Sequence, residues 1–269
     1  MPPKLYVFLQ TLRLKLLRLL APADTLLGRV RGREPLPPLW LRRHVGAIRN
    51  FESAARQTAD FLRRLDLVKP DDHFLDIGCG TGVMAFEFQR MLGPLGRYVG
   101  FDVNRPAIEW CRVAFGSDPR FTFGLAEVSS PYGDGGRPVP YRFPMTDGEA
   151  GLVLAKSVFT HLLEPDACHY LREIRRTLRP GRTAVITAFL FGKGSRTDRG
   201  TSPIFGFGDD RGLVKWRWKA RPESAVAYER DHFTEMIAEA GLRLQWLCQG
   251  FWPGNSTHFT GQDILLVGH

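Results

Sequence analysis

Leucine recurs at helical spacing through KLYVFLQTLRLKLLRLL, at Leu5, Leu9, Leu12, Leu16, Leu19 and Leu20, while Arg13, Lys15 and Arg18 fall mostly off that stripe. The spacing predicts a basic amphipathic helix. EPLPPLW (Glu34 to Trp40) then punctuates the chain like a linker. From residue 50 onward, helical periodicity alternates with short apolar runs. FESAARQTADFLRRL (Phe51 to Leu65) reads as a helix, HFLDIG as a buried strand, and VMAFEFQRML as a helix stopped by Gly93-Pro94. RYVGFDV is a second strand, ending at Asp102. RPAIEWCRVAF is a helix with Pro106 in its first turn. RFTFGLAEV and GLVLAKSVF are a third and a fourth strand. PDACHYLREIRRTL is a helix with Gly181 placed to cap its end. TAVITAFLF is a fifth strand, RDHFTEMIAEAG a helix, and LRLQWLCQGF and DILLVG close the chain. Such alternation, with apolar β-rich strands, predicts an α/β domain with a mostly parallel sheet covered on both faces. No internal repeat interrupts it.

Composition refines this picture in three ways. A chain of 269 residues with 43% hydrophobic content can bury the core of one large domain with an appendage. The net charge of +9 is unevenly placed: residues 1–33 carry seven basic side chains against one acid, Asp24, so the body of the chain is close to neutral. Charges interrupt every apolar run of that arm, which argues against a transmembrane span, and it lacks the layout of a signal peptide. A helix packed on the domain, an anchor on anionic lipid and a partner helix remain open as its role. Four separated cysteines, Cys79, Cys111, Cys168 and Cys248, form no CxxC pair. They read as reduced thiols in a cytosolic protein, with no zinc site expected.

HFLDIGCGTG (His73 to Gly82) carries the chemistry. It climbs to Asp76 and then sets Gly78, Gly80 and Gly82 at alternate positions. Glycine lets the backbone turn sharply and approach a ligand. The segment joins the first strand to a helix, and ligands of such sheets bind beyond the carboxyl ends of the strands. A dinucleotide prefers G-x-G-x-x-G/A there. Val83 follows Gly82, so that fingerprint is incomplete and an oxidoreductase is disfavoured. S-adenosylmethionine is the other candidate, with Asp76 suited to its ammonium group. Asp102, ending the second strand, can accept hydrogen bonds from both ribose hydroxyls.

These segments, together with FTFGLAEV, SVFTHLLEPDACHYLREIRRTLRPGRTAVIT and the terminal QDILLV, resemble the class I S-adenosylmethionine-dependent methyltransferases. SVFTHL and the QDI close resemble a bacterial subgroup that acts on small molecules. The resemblance spans residues 50–269 and implies a Rossmann-like, doubly wound, seven-stranded sheet. Its last strand runs antiparallel beside the fifth, and residues 1–49 form an N-terminal helical extension. It implies that Asp76, Gly78, Cys79, Gly80 and Gly82 surround the methionine end. Asp102 would hold the ribose, with Val103 by the adenine and Ala126 and Glu127 near its amino group. Gly151 stands where the family has an aspartate before the fourth strand.

In that architecture the end of the fourth strand faces the methyl group, which places Lys156, Ser157, Phe159, Thr160 and His161 there. His161 has the pKa range of a general base, against the plainer role of a loop or cofactor contact. Alignment alone can supply much of a methyl transfer, so no base is obligatory. The loop Ser129 to Met145, with Tyr132, Tyr141 and Arg142, reads as a pocket wall. Residues 191–228 read as a lid insertion in which Phe205, Phe207, Trp216 and Trp218 either cover an acceptor or form a small core of their own. His258, in FWPGNSTHF, is a weaker base candidate.

The expected activity is methyl transfer to a small-molecule, sugar or lipid-linked acceptor, at oxygen by preference. The expected setting is cytoplasmic or peripheral at the inner membrane face. Two rivals stay in view. KWRWKAR has the basic and aromatic mix of a nucleic-acid binder. Against that, AKSVF replaces the D/N-P-P-Y/F run of base amino-methylating enzymes. A non-catalytic scaffold that kept the fold is opposed by the intact glycine turn and Asp102.

Overall fold

The structure is a computed structural model that describes residues 3–30, 36–42, 51–128, 140–192, 206–207, 209–210, 212–252 and 261–269. Helix α1 (Pro3–Val30) and the short α2 (Leu39–Arg42) come first, followed by helix α3 (Phe51–Arg64). Strands β1 (His73–Ile77), β2 (Arg97–Asp102) and β3 (Phe121–Leu125) alternate with helices α4 (Val83–Met91) and α5 (Arg105–Phe115). Then come β4 (Ala150–Ala155), α6 (Glu164–Thr177), β5 (Leu178–Ala188), β6 (Leu190–Phe191), β7 (Asp209–Asp210), β8 (Val214–Trp216), β9 (Val226–Glu229), α7 (Arg230–Glu239), β10 (Arg243–Cys248) and β11 (Asp263–Gly268).

Seven of these strands form one sheet in the order β10-β11-β5-β4-β1-β2-β3. The last strand, β11, runs antiparallel to both β5 and β10, while β1 pairs in parallel with β2 and β4. Residue alternation sorts the strands onto two faces. Leu75, Ile77, Val153, Ile186 and Leu265 pack on one face with Leu171, Ile174, Phe233 and Ile237 of α6 and α7. Phe74, Leu152, Leu154 and Val185 pack on the other with Leu62, Phe88, Ile108 and Phe115 of α3, α4 and α5. Helices cover both faces of the central strands, which is why all six residues of β4 are buried. The order reverses between β1 and β4, and that crevice is where the fold places a ligand.

Two sequence expectations are corrected here. Gly181 does not cap α6. That helix ends at Thr177, with extended Leu178 donating its N–H to Ile174 O. Gly181, at φ +77°, turns the chain inside β5, where the β4 register jumps between Ala150 and Leu152. The fifth strand also stops short of Phe191, because the chain leaves the main sheet at Phe189, whose carbonyl accepts Tyr228 N–H at 2.9 Å. From there it feeds a second sheet, in the order β6-β9-β8-β7, which spans the stretch 191–228 read as a lid and reaches one residue past it at each end. Phe189, Phe191, Phe207 and Trp252 form a small core beside it.

The structure explains why glycine stands at Gly151. A Cβ on Gly151 would lie 2.2 Å from Asp72 Oδ1, so an aspartate cannot stand there. Asp72 itself pairs with the Arg182 guanidinium, and Arg182 Nε donates to Gly151 O at 2.8 Å.

Candidate functional site

The three glycines after β1 serve three different needs. All hold positive φ, at +68° for Gly78, +53° for Gly80 and +73° for Gly82. A Cβ on Gly78 would lie 2.7 Å from Val158 Cγ2, so the loop after β4 closes against bare backbone. A Cβ on Gly82 would lie 2.8 Å from the Phe115 ring, so this glycine lets α4 start close against α5. A Cβ on Gly80 would meet no atom within 4 Å, and Gly80 borders an open cavity. The loop is fastened to β2 from below. Gly78 N–H and Cys79 N–H both donate to Phe101 O, at 2.9 and 3.0 Å.

Asp102 fastens it from the side. Its Oδ2 accepts Gly80 N–H and its Oδ1 accepts Asn104 N–H, each at 2.8 Å. Asn104 in turn caps α5 by accepting Ala107 N–H at 3.1 Å. Burial raises the Asp102 pKa, opposed by its backbone hydrogen bonds.

The cavity has a volume of about 450 Å³, within the range of ligand pockets. Its polar rim is Asp76, Thr81, Asp102, Lys156, Ser157, His161 and Tyr170, and its apolar walls include Ile77, Met84, Val103 and Leu154. Asp76 is buried and accepts the Tyr98 hydroxyl. Burial pushes its pKa up to about 7, against that hydrogen bond; Asp102 adds to the rise and Lys156 opposes it. Lys156 donates to Thr58 Oγ1 of α3 at 2.7 Å, and burial lowers its pKa.

Ser157 takes a left-handed φ of +59° at the end of β4. Such strain in a non-glycine residue persists only where its surroundings enforce it. Here Thr187 Oγ1 accepts Ser157 N–H at 2.7 Å and Gln262 Oε1 accepts Ser157 Oγ at 3.0 Å. The turn delivers His161 to the cavity, with His161 Nδ1 2.9 Å from Glu223 O. A carbonyl accepts only from a protonated Nδ1, so the neutral ring carries its lone pair on Nε2. Burial lowers the His161 pKa, opposed by the Glu223 and Ser224 carbonyls.

The structure thus gathers Asp76, Gly78, Cys79, Gly80, Asp102, Val103, Lys156, Ser157 and His161 around one cavity. Other expected residues stand elsewhere. Gly82 serves the α4–α5 contact. Ala126 is buried, donating its N–H to Asp102 O at 2.9 Å. Glu127 is exposed and pairs with Arg105 at 3.0 Å. Phe159 is a core residue, edge-on to Phe233 at 5.6 Å, because the turn after β4 points it between α6 and α7. Thr160 is fully buried beside it, with its carbonyl accepting Val226 N–H at 2.8 Å. Tyr141 stacks obliquely on Phe101 at 5.0 Å, and Trp216 packs from β8 against the core. Tyr132 and His258 lie outside the described residues. Sequence reasoning missed Tyr170, which reaches the cavity from α6. Its signal was hidden, since Ala167, Tyr170, Leu171 and Ile174 read as one core stripe.

The residues present fit S-adenosylmethionine. Two acids, Asp76 and Asp102, line the cavity with Gly80, for an ammonium and a ribose diol. Thr81 Oγ1 is buried at the cavity with no hydrogen-bond partner among the described residues, which leaves a donor for a carboxylate.

Comparison with known proteins agrees with this geometry. Residues 74–181 match the family model described as a methyltransferase domain. Nocamycin O-methyltransferase of Saccharothrix syringae is 35% identical over 120 residues, 44% of this chain and 39% of that protein. An S-adenosylmethionine-dependent methyltransferase from Aquifex aeolicus superposes with a TM-score of 0.53 at 15% identity, covering 86% of this chain and 98% of that one. Geranyl diphosphate C-methyltransferase from Streptomyces coelicolor A3(2) superposes with a TM-score of 0.54 at 14% identity, covering 87% and 84%. The chain spans 34% and 39% of the length of the first two curated relatives it matches. The fold is thus the one shared with solved S-adenosylmethionine-dependent methyltransferases, and residues 74–181 within it match a methyltransferase domain.

Proposed function

We propose that this protein transfers a methyl group from S-adenosylmethionine to a small-molecule, sugar or lipid-linked acceptor, at a hydroxyl oxygen. One observation carries the reading: Asp102 clamps Gly80 at the wall of a cavity that Asp76 also lines. When bound, the cofactor supplies a methyl group already activated by its sulfonium. The chain's own residues do the rest. Asp76 and Thr81 would receive the amino-acid end and Asp102 the ribose. His161, with its lone pair on Nε2, would take the acceptor's hydroxyl proton as oxygen gains the methyl carbon. Leu162 and Tyr170 narrow the same cavity and would keep water from the reacting atoms.

The relatives named O-methyltransferase and C-methyltransferase support a small acceptor and leave its atom to His161. Lys215 lies over the Phe191 ring at 4.6 Å and Arg217 over Trp218 at 4.5 Å, so two cations of the KWRWKAR run already stack on the chain's own aromatics. That favours a small acceptor over nucleic acid. The setting we propose is the cytoplasm or the inner face of a membrane. Labelled S-adenosylmethionine, offered with panels of hydroxylated small molecules, glycans, lipids and RNA, tests the reading. Label is expected in a hydroxylated small molecule, glycan or lipid; label in RNA alone would overturn the acceptor class.

A further inference from the structure

Helix α1 has two apolar faces. Among its described side chains the less exposed are Leu14, Leu17, Ala21 and Asp24, spaced as one helical stripe. This stripe faces α2. Asp24 pairs with Arg42 at 2.7 Å, and Arg18 lies over the Trp40 ring at 5.1 Å. Leu36, in the same linker, packs against Ala55 and Val83, and Val83 also lines the cofactor cavity. The helix is therefore mounted beside the site by one edge.

The opposite face carries Leu12, Leu16, Leu19, Leu20, Leu26 and Leu27, exposed from 47% at Leu20 to 78% at Leu19. Val30 continues the row at 78%. At about 100° per residue, these positions fill an arc about 120° wide, opposite Ala21. Exposed Arg13 and Lys15 border the arc, one on each side. A row of bare leucines of this length marks an association surface.

Charge selects the partner. Residues 1–33 carry seven cations and one acid, and that acid, Asp24, is held by Arg42. A second copy of α1 would set two basic borders against each other. An anionic lipid surface neutralises both borders while the acyl boundary accepts the leucines. No helix among the described residues is long and apolar enough to cross a membrane, so on such a surface α1 would lie along the interface.

We propose that the outer face of α1 docks this protein on an anionic lipid surface. The docking extends the acceptor reading, in that it holds the cavity near a lipid-borne substrate, and it rests on that reading only for its purpose. The test is co-flotation of the full chain with vesicles of phosphatidylglycerol and phosphatidylcholine in equal parts, beside phosphatidylcholine alone. Binding is expected to be at least about tenfold tighter to the anionic vesicles. The triple variant Leu16→Ser, Leu19→Ser, Leu27→Ser is expected to bind at least about tenfold more weakly, and Arg13→Glu with Lys15→Glu to lose the anionic preference. Melting and S-adenosylhomocysteine affinity are measured on the same samples and are expected to match the wild type. A wild type that floats but binds no S-adenosylhomocysteine would sink the methyltransferase reading and leave the docking intact. Absence of binding, equal binding to both vesicles, undiminished binding of the leucine variant, or a dimer that this variant dissociates in light scattering would overturn the docking.

Discussion

Asp102 of β2 accepts the Gly80 amide of the β1 loop at 2.8 Å, so the acid that would hold a ribose also sets the turn beneath it. The same carboxylate accepts the Asn104 amide at 2.8 Å, which ties the start of α5 to that turn. Asp102→Ala removes two charge-assisted hydrogen bonds and the ribose acceptor. Each such bond contributes about 1.5–3 kcal/mol. We expect S-adenosylhomocysteine affinity to fall at least about 100-fold in calorimetry, while circular dichroism keeps a cooperative melt. Retained wild-type affinity would show that the ribose is held elsewhere.

Asp76 gives a pH dependence with a definite sign. Its folded pKa of about 7 lies above the ordinary value of 3.8. The folded chain therefore holds a proton that the unfolded chain has released between those values, and Asp76 makes stability fall as pH rises from about 4 to about 7. Cofactor affinity should run the other way, because an ammonium needs the carboxylate. Below about pH 7, affinity is expected to weaken toward tenfold per unit, and Asp76→Asn to flatten both dependences. Denaturation and calorimetry across pH 5–8 check the two slopes.

The glycines should separate stability from binding. Gly78→Ala drives a Cβ to 2.7 Å from Val158 at φ +68°, so it should lower stability by about 2 kcal/mol or more. Gly80→Ala meets no atom within 4 Å, so its left-handed strain alone should cost about 1 kcal/mol. Its methyl group enters the cavity, and cofactor affinity should drop further than stability suggests. Urea melts and calorimetry on the pair measure both effects.

The heptad-like leucines, the seven strands and the crevice were legible in the sequence because period and glycine punctuation are local signals. So was the gathering of Asp76, Gly78, Gly80, Asp102 and His161 beside one cavity, because they lie at or just beyond the ends of strands. What depends on a distant partner was hidden. Phe159 turns inward because α7 brings Phe233 against it. Glu127 pairs with Arg105, a partner on the preceding helix. The two-residue strands β6 and β7 and the three-residue β8 of the second sheet carry too little periodicity to read. Asp72 fills the space that a side chain at Gly151 would need, a contact that only the fold reveals.

Asp263 should matter for stability alone. It is buried and accepts Leu190 N–H at 2.7 Å, Gly250 N–H at 2.9 Å and Trp252 Nε1–H at 2.6 Å. Asp263→Ala strands three donors, each costing about 1–3 kcal/mol, and should lower stability by at least about 3 kcal/mol. Affinity for S-adenosylhomocysteine at low temperature should persist, which a titration on the folded variant would check.

His161 is the test of oxygen chemistry. Once an acceptor is found, His161→Gln should lower kcat about 100-fold or more with cofactor affinity little changed. Because burial lowers its pKa, the base stays neutral below its usual 6.5, and at saturating S-adenosylmethionine the wild-type kcat/KM for the acceptor should hold its plateau beneath that pH. A variant that keeps full kcat would mean that alignment alone drives the transfer.

Calorimetric titration of the wild-type chain with S-adenosylhomocysteine, beside NAD as a control, addresses the glycine crevice most directly. A saturable one-to-one isotherm for S-adenosylhomocysteine, unaffected by NAD, is the predicted result. No heat with S-adenosylhomocysteine, or saturable binding of NAD in its place, would contradict the assignment of this cavity.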